Sequence, residues 1–239
     1  MQVFVMLVFI FGIGSMFGWG LEVIYRRLAD KEKRWFNPGF CVGPYLPIYG
    51  IGLVIIFLIT YLNDNSFVEN EMLRRAILFI IIAIFLTLIE LIAGIILLKF
   101  FNMRLWDYRN EVLNYKGFIC IKFSFFWMLL GAIYYFFIHE RVYESVVWLS
   151  NNLVFSFFVG AFFATFIIDA IYSGNVIAIV RDYAVKNGII VAFEDLKDRV
   201  SREIKLRGSK PAFFIFMFRE NLSNIFSSIL KNRKKEKSR

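Results

Sequence analysis

Cysteine and histidine are almost absent: the 239-residue chain has two cysteines, Cys41 and Cys120, and one histidine, His139. Two cysteines are too few for a disulfide framework, and one histidine is too few for a histidine metal cluster. Charge is also scarce, at 20% of residues, against roughly 25% in a soluble domain. No GxxxxGK[ST] phosphate loop occurs, because Gly208-Ser209-Lys210 lacks the first glycine. Gly12, Gly14 and Gly18 fail as GxGxxG because Phe17 takes the third place, and there is no HExxH or paired-cysteine site. The chain therefore carries no recognisable ATPase, metal or nucleophile motif, and no cofactor is expected. What it has in excess is apolar surface: 59% hydrophobic residues, 19% aromatic and a mean hydropathy of +0.63. These residues sit in blocks of about 20 with almost no charge. A soluble single-domain enzyme, a disordered chain and a disulfide-stapled secreted fold are excluded, leaving an all-α, multi-pass membrane helix bundle.

Five runs are long enough to cross roughly 30 Å of hydrocarbon at 1.5 Å per residue. They are Val3–Leu21, Tyr45–Leu62, Ala76–Leu98, Phe118–Ile138 and Leu153–Tyr172. They lack the alternation of a membrane barrel. No basic residue precedes Arg26, so the first run is expected to remain a span rather than a cleaved signal. Gly14 and Gly18, one turn apart, suit close packing of one helix on another.

The net charge is +9, and its placement predicts orientation. Arg26, Arg27, Lys31, Lys33 and Arg34 fill the first connection; Lys99, Arg104, Arg109 and Lys116 fill the third. Fifteen more Lys and Arg follow Tyr172, whereas the second connection has Arg74 and Arg75 and the fourth only Arg141. Rich and poor connections alternate, so the N-terminus is expected outside and the C-terminus in the cytoplasm of a cell-membrane protein. Residues 1–174 read as the transmembrane bundle and 175–239 as a basic, helical cytoplasmic tail. In that tail Phe193–Leu206 reads as a charged helix. Beyond Pro211, Leu222, Ile225, Phe226, Ile229 and Leu230 recur at helical spacing before the basic run Lys231–Lys237. Such a segment is expected to lie on anionic lipid of the inner leaflet. The basic run is short and sits beside a membrane, so nucleic acid is not an expected partner.

Acidic residues inside spans are costly, roughly 2.5–3.5 kcal/mol at mid-membrane on insertion scales, and they usually face the bundle interior or water. Glu22, Glu90 and Asp169 are the three, all towards the side of the basic connections. Glu90 has apolar neighbours on both sides (TLIELIAG). Lys122 has the sign and depth to pair with one of them. The expectation is a polar cavity open to the cytoplasm, with Glu90 its deepest charge.

Two connections look shaped. Trp35–Gly50 reads WFNPGFCVGPYLPIYG and holds three of the four prolines, Pro38, Pro44 and Pro47, with Gly39 and Gly43 between them. Proline fixes φ and glycine permits positive φ, so this density specifies a bent path. Irregular backbone near a membrane is tolerated where protein or water surrounds it. The segment, with Asn37, Tyr49 and Gly50, is therefore expected to fold back and line the cavity. In the third connection Arg104, Asp107 and Arg109 alternate with Trp106 and Tyr108, a pattern in which rings anchor and charges pair. Asn37, Gly39, Phe40 and Cys41 echo Asn114, Gly117, Phe118 and Cys120, as a parallel duplication would.

GWGLE (Gly18–Glu22), NPGFCVGPYLPIYG (Asn37–Gly50), Glu90 with Gly94, RLWDY (Arg104–Tyr108) and Lys116-Gly117 together resemble the CmpB-like family, described as type IV ABC-transporter membrane proteins. The likeness covers roughly residues 10–135. Pro38 departs from it, standing where the family's N-R-G-F pattern has a basic residue. The resemblance implies a permease-type subunit energised by a separate ATPase. That partner would contact the Arg26–Arg34 cluster and Arg104, Trp106, Asp107, Tyr108 and Gly117, while Glu22, Tyr49 and Glu90 would line the path of an unidentified small-molecule or lipid substrate. The alternatives are a membrane enzyme or binder acting on a lipid-linked substrate at the inner leaflet, and a membrane scaffold or regulator.

Overall fold

A computed structural model describes residues 2–29, 35, 37–63, 70–186, 188–193 and 196. Its helices are α1 (Gln2–Ala29), α2 (Pro47–Asn63), α3 (Glu71–Phe101), α4 (Ile121–Ile133), α5 (His139–Asn151) and α6 (Ser156–Lys186). A π-helical turn, Tyr134–Ile138, joins α4 to α5, so Ile121–Asn151 runs on as one helix. Four helices are long and apolar enough to cross a membrane: Val3–Ala29, Glu71–Phe101, Ile121–Asn151 and Ser156–Lys186. The second, Pro47–Tyr61, is apolar but shorter. Each of the five expected segments is thus helical, with Pro47 opening α2 where a missing N–H costs nothing.

Two helices outlast their hydropathy signal. The fourth apolar run was expected to end at Ile138, yet Val142, Val146 and Leu149 are buried at helical spacing and carry the helix to Asn151. Likewise α6 passes Tyr172 to reach Lys186, because Ser173, Val176, Ile177, Val180 and Ala184 form a buried stripe. A hydropathy window averages such stripes away when charged residues share the turn.

The most extensive helix contact is between α1 and α2. It depends on small residues. Tyr49 lies over Gly18, where an added Cβ would meet the ring at 2.1 Å. At Gly50 an added Cβ would meet Ser15 Oγ at 2.1 Å and the Phe11 carbonyl oxygen at 2.6 Å. Without lipid-excluding drive inside a bilayer, such close backbone approach is what gains dispersion energy.

Apolar side chains gather in two cores. One joins Ile10 of α1, Ile56 and Phe57 of α2, Leu78, Ile82 and Leu86 of α3, and Val142 and Val146 of α5. The other lies at the end of the bundle that carries the basic connections, hereafter the basic end. There Met103, fully buried, packs with Val176, Ile177, Val180 and Ala184 of α6 and with Val191, Phe193 and Leu196 beyond it, and Phe40 covers it. Short strands stitch this end together. β1 (Met103–Arg104) pairs in parallel with β4 (Val191–Ala192), and β2 (Asn114–Tyr115) pairs antiparallel with β3 (Ile119–Cys120). Val191 N–H also donates to the Asn102 carbonyl at 3.0 Å. The charged helix expected at Phe193–Leu206 lies outside the described residues, apart from the buried Phe193 and Leu196, and the amphipathic segment after Pro211 lies wholly outside them.

Overpacking a tight contact costs about 1–3 kcal/mol. Gly50→Val should lower the thermal unfolding midpoint of the detergent-solubilised protein by several degrees. Gly20→Ala, whose Cβ meets nothing within 4 Å, should not lower it. Equal midpoints for both variants would show that α1 and α2 are not held this closely.

Candidate functional site

The proline- and glycine-rich segment folds back as a hairpin fixed from within by Asn37. Its Oδ1 accepts from Gly39 N–H at 3.2 Å and from the Trp19 indole at 2.9 Å, while its Nδ2 donates to the Cys41 carbonyl at 2.7 Å. Leu46 N–H reaches the Ser15 carbonyl of α1 at 2.9 Å. From the other side Asp169 of α6 grips the turn. Its carboxylate accepts from Val42 N–H at 3.1 Å, Gly43 N–H at 2.6 Å, Tyr45 OH at 2.5 Å and Ser173 OH at 2.8 Å. The Tyr45 ring meets Phe162 and Phe166 edge-on at 6.1 and 5.3 Å. Pro44 remains exposed at the outside of the bend. Burial, helped by the Asp169 carboxylate, pushes the Cys41 thiol up to about 12.

A second cluster lies between α1, α2, α3 and α4. Glu22 pairs with Arg26 at 2.7 Å and accepts from Tyr49 OH at 3.0 Å. The Tyr49 ring rests on Trp127 of α4, centroids 4.9 Å apart. Glu90, only 3% exposed, accepts from Tyr108 OH at 2.8 Å through Oε1. Its Oε2 is sealed from solvent with no hydrogen-bond partner. The Trp127 indole is a second, more distant donor to this carboxyl, and Glu22 and Tyr49 are further polar neighbours. Tyr108 is stacked on Phe123 at 4.5 Å, and burial drives its phenol pKa upward.

Tyr108 belongs to the third connection, which is folded rather than slack. Trp106 donates its indole N–H to the Phe118 carbonyl at 2.8 Å, Tyr108 N–H donates to the Gly117 carbonyl at 3.0 Å, and Asn114 Oδ1 accepts from Gly117 N–H at 3.1 Å. Gly117 has φ +75°, and an added Cβ would strike Arg109, Arg104 and Asp107 atoms at 2.6–2.9 Å. Only glycine fits both the backbone and the space. Arg104 reaches the Lys116 carbonyl at 3.1 Å and lies over the Phe118 ring. Asp107 is held below the usual carboxylate range by hydrogen bonds from Arg109.

The structure thus brings Asn37, Gly39, Gly43 and Asp169 together in one cluster. Glu22, Tyr49 and Glu90 meet in another, with Tyr108 joining them from the third connection. Pro47 and Gly50 serve helix start and helix packing. Lys122 pairs with Glu111 at 3.1 Å instead of with a buried acid, because it points outward from the first turn of α4. Sequence reasoning missed Tyr45, which it placed inside a span, along with Ser173 and Trp127. The tyrosine density of GPYLPIYG is the signal that could have found Tyr45.

These features define a polytopic helical membrane protein whose basic end is folded around buried carboxyl groups. The profile of the family described as "Putative ABC-transporter type IV", CmpB, matches residues 9–174, and the chain belongs to that family. No curated protein and no solved structure matches it.

Asp169→Asn keeps the shape but loses the charge that four donors share. Charged hydrogen bonds contribute about 1.5–3 kcal/mol, and the half-exposed position favours the low end. Opening of the hairpin should rise roughly tenfold. In a Cys120→Ser background, maleimide labelling of Cys41, now 2% exposed, should accelerate by about that factor. An unchanged labelling rate would show that Asp169 does not hold the hairpin.

Proposed function

We propose that this chain is the permease-type membrane subunit of an ABC-type transport system. Residues 1–174 form its bundle and 175–239 a basic tail. The N-terminus lies outside and the basic end faces the cytoplasm, with the tail drawn to anionic lipid. Glu22, Glu90 and the Asp169-held hairpin border the substrate path on that side. The observation that carries the reading, beyond family membership, is the folded basic end. A partner ATPase can transmit force only through a surface that keeps its shape, and β1–β4 pairing with the Met103 core gives the third connection that rigidity. Its tip presents Val112 and Leu113, 79% and 72% exposed, as apolar contacts for such a partner.

A second reading, a protein that binds a lipid-linked substrate, is favoured by Glu90 sitting at membrane depth beside Tyr49, Tyr108 and the Glu22–Arg26 pair. One experiment separates the two. The tagged full chain, extracted from its own membranes in mild detergent, should carry an ATPase subunit. Val112→Asp with Leu113→Asp should reduce recovery of that subunit at least tenfold without shifting the unfolding midpoint. Purification of the chain with a stoichiometric lipid and no ATPase would overturn the first reading in favour of the second. A reporter fused after Asn63 should prove non-cytoplasmic, and cytoplasmic activity there would reverse the orientation.

A further inference from the structure

Glu90 differs from the other two acids in what surrounds it. Asp169 has four donors, and Glu22 has Arg26 and Tyr49. Glu90 has one close donor, Tyr108, with the Trp127 indole a more distant one, and its Oε2 is sealed with no partner in hydrogen-bond geometry. Among the described residues, the groups facing it are Glu22 of α1, Tyr49 of α2, Tyr108 of the third connection and Trp127 of α4. Glu22 is the one charged group of these, with Arg26 bound to it. Counted over the described residues, the local charge is two carboxyls against one guanidinium, one negative charge in excess. An ionised carboxyl without a counter-charge in an apolar interior is among the costliest arrangements a protein can hold. The rings beside Glu90 are packed on neighbouring rings, Tyr108 on Phe123 and Tyr49 on Trp127, and a proton is the ligand that needs no displacement of them.

We propose that Glu90 is a proton-binding site, occupied at neutral pH, whose occupancy is read by the third connection through Tyr108. The proton neutralises the excess charge and turns Oε2 into a neutral hydroxyl. Tyr108 donates to the charged form more strongly than to the neutral form, so its hold on Glu90 is strongest when the proton leaves. Because Tyr108 is fixed to Gly117 and, through its connection, to the β1–β4 pair, the change reaches the folded basic end. This site does not depend on the transport reading.

The test is infrared spectroscopy of the full chain reconstituted in lipid bilayers at neutral pH. A protonated-carboxyl C=O band should be present, should shift when the protein is built with carboxyl-labelled glutamate, should persist in Glu22→Gln and should vanish in Glu90→Gln. Tyr108→Phe removes the donor that favours the charged form and should leave the band at least as strong. If Glu90→Gln does not fold, Glu90→Asp decides, since its band must lose the glutamate-label shift. A missing band in the wild-type protein, a band indifferent to glutamate labelling, or one lost in Glu22→Gln would each overturn the assignment. So would a band that weakens in Tyr108→Phe. If the band is missing and the unfolding midpoint rises with added sodium or potassium, the orphaned oxygen belongs to a metal ion instead.

Discussion

Everything at the basic end depends on satisfying carboxyl groups that the helices themselves cannot satisfy. Helical backbone N–H groups are already used within each helix, so an acid facing the interior must find donors elsewhere. Asp169 finds them in the non-helical backbone of Val42 and Gly43 and in the hydroxyls of Tyr45 and Ser173. Helix and hairpin therefore need each other. The hairpin leaves N–H groups free because proline and glycine keep it out of regular structure, and the acid fixes the one path that aims those groups at α6. Loss of either side exposes the other, which makes the contact cooperative rather than a simple sum of bonds.

The same logic operates in the third connection with a different donor. Asn37 and Asn114 each accept from a nearby glycine N–H, Gly39 and Gly117, and each so tightens a turn that delivers tyrosines to an acid. Tyr45 reaches Asp169 and Tyr49 reaches Glu22 after the first turn; Tyr108 reaches Glu90 just before the second. The order of tyrosine and turn is reversed between the two, so the likeness lies in chemistry more than in chain path. In both, Cys41 and Cys120 close the turn as buried small hydrophobes, free of any disulfide.

Much of this was legible in the sequence, and the remainder was illegible for a physical reason. Length and hydropathy locate all five apolar helices, and the three costly acids with the Pro-Gly segment mark the basic end. Their partners are another matter. Val42 and Asp169 are 127 residues apart, and no period or propensity links them. Lys122 has the sign and depth to meet a buried acid, yet rotation about α4 turns it to Glu111. The extensions of α5 and α6 rest on narrow buried stripes that solvent-transfer averages conceal. Tyr45 was read as the start of a span because an aromatic ring counts as apolar in such averages, whereas its hydroxyl is what fixes the hairpin.

Depth and compensation run in opposite directions among the three acids. Asp169 and Glu22, both partly accessible, are fully provided with donors or a cation. Glu90, the most buried, has the least. If stability alone had shaped this end, the ordering would be the reverse, because an unmet polar atom costs more as water is excluded. Gln at position 90 would keep Tyr108 a partner without the charge, and Leu would remove the requirement altogether. A carboxyl is the side chain here that can exist in two charge states, and the surroundings of Glu90 serve both: the Tyr108 hydroxyl and the more distant Trp127 indole for the anion, a sealed second oxygen for the acid. The poorly compensated group is also tied to a connection that is otherwise rigid, so a change in its charge moves a folded unit rather than a loose loop.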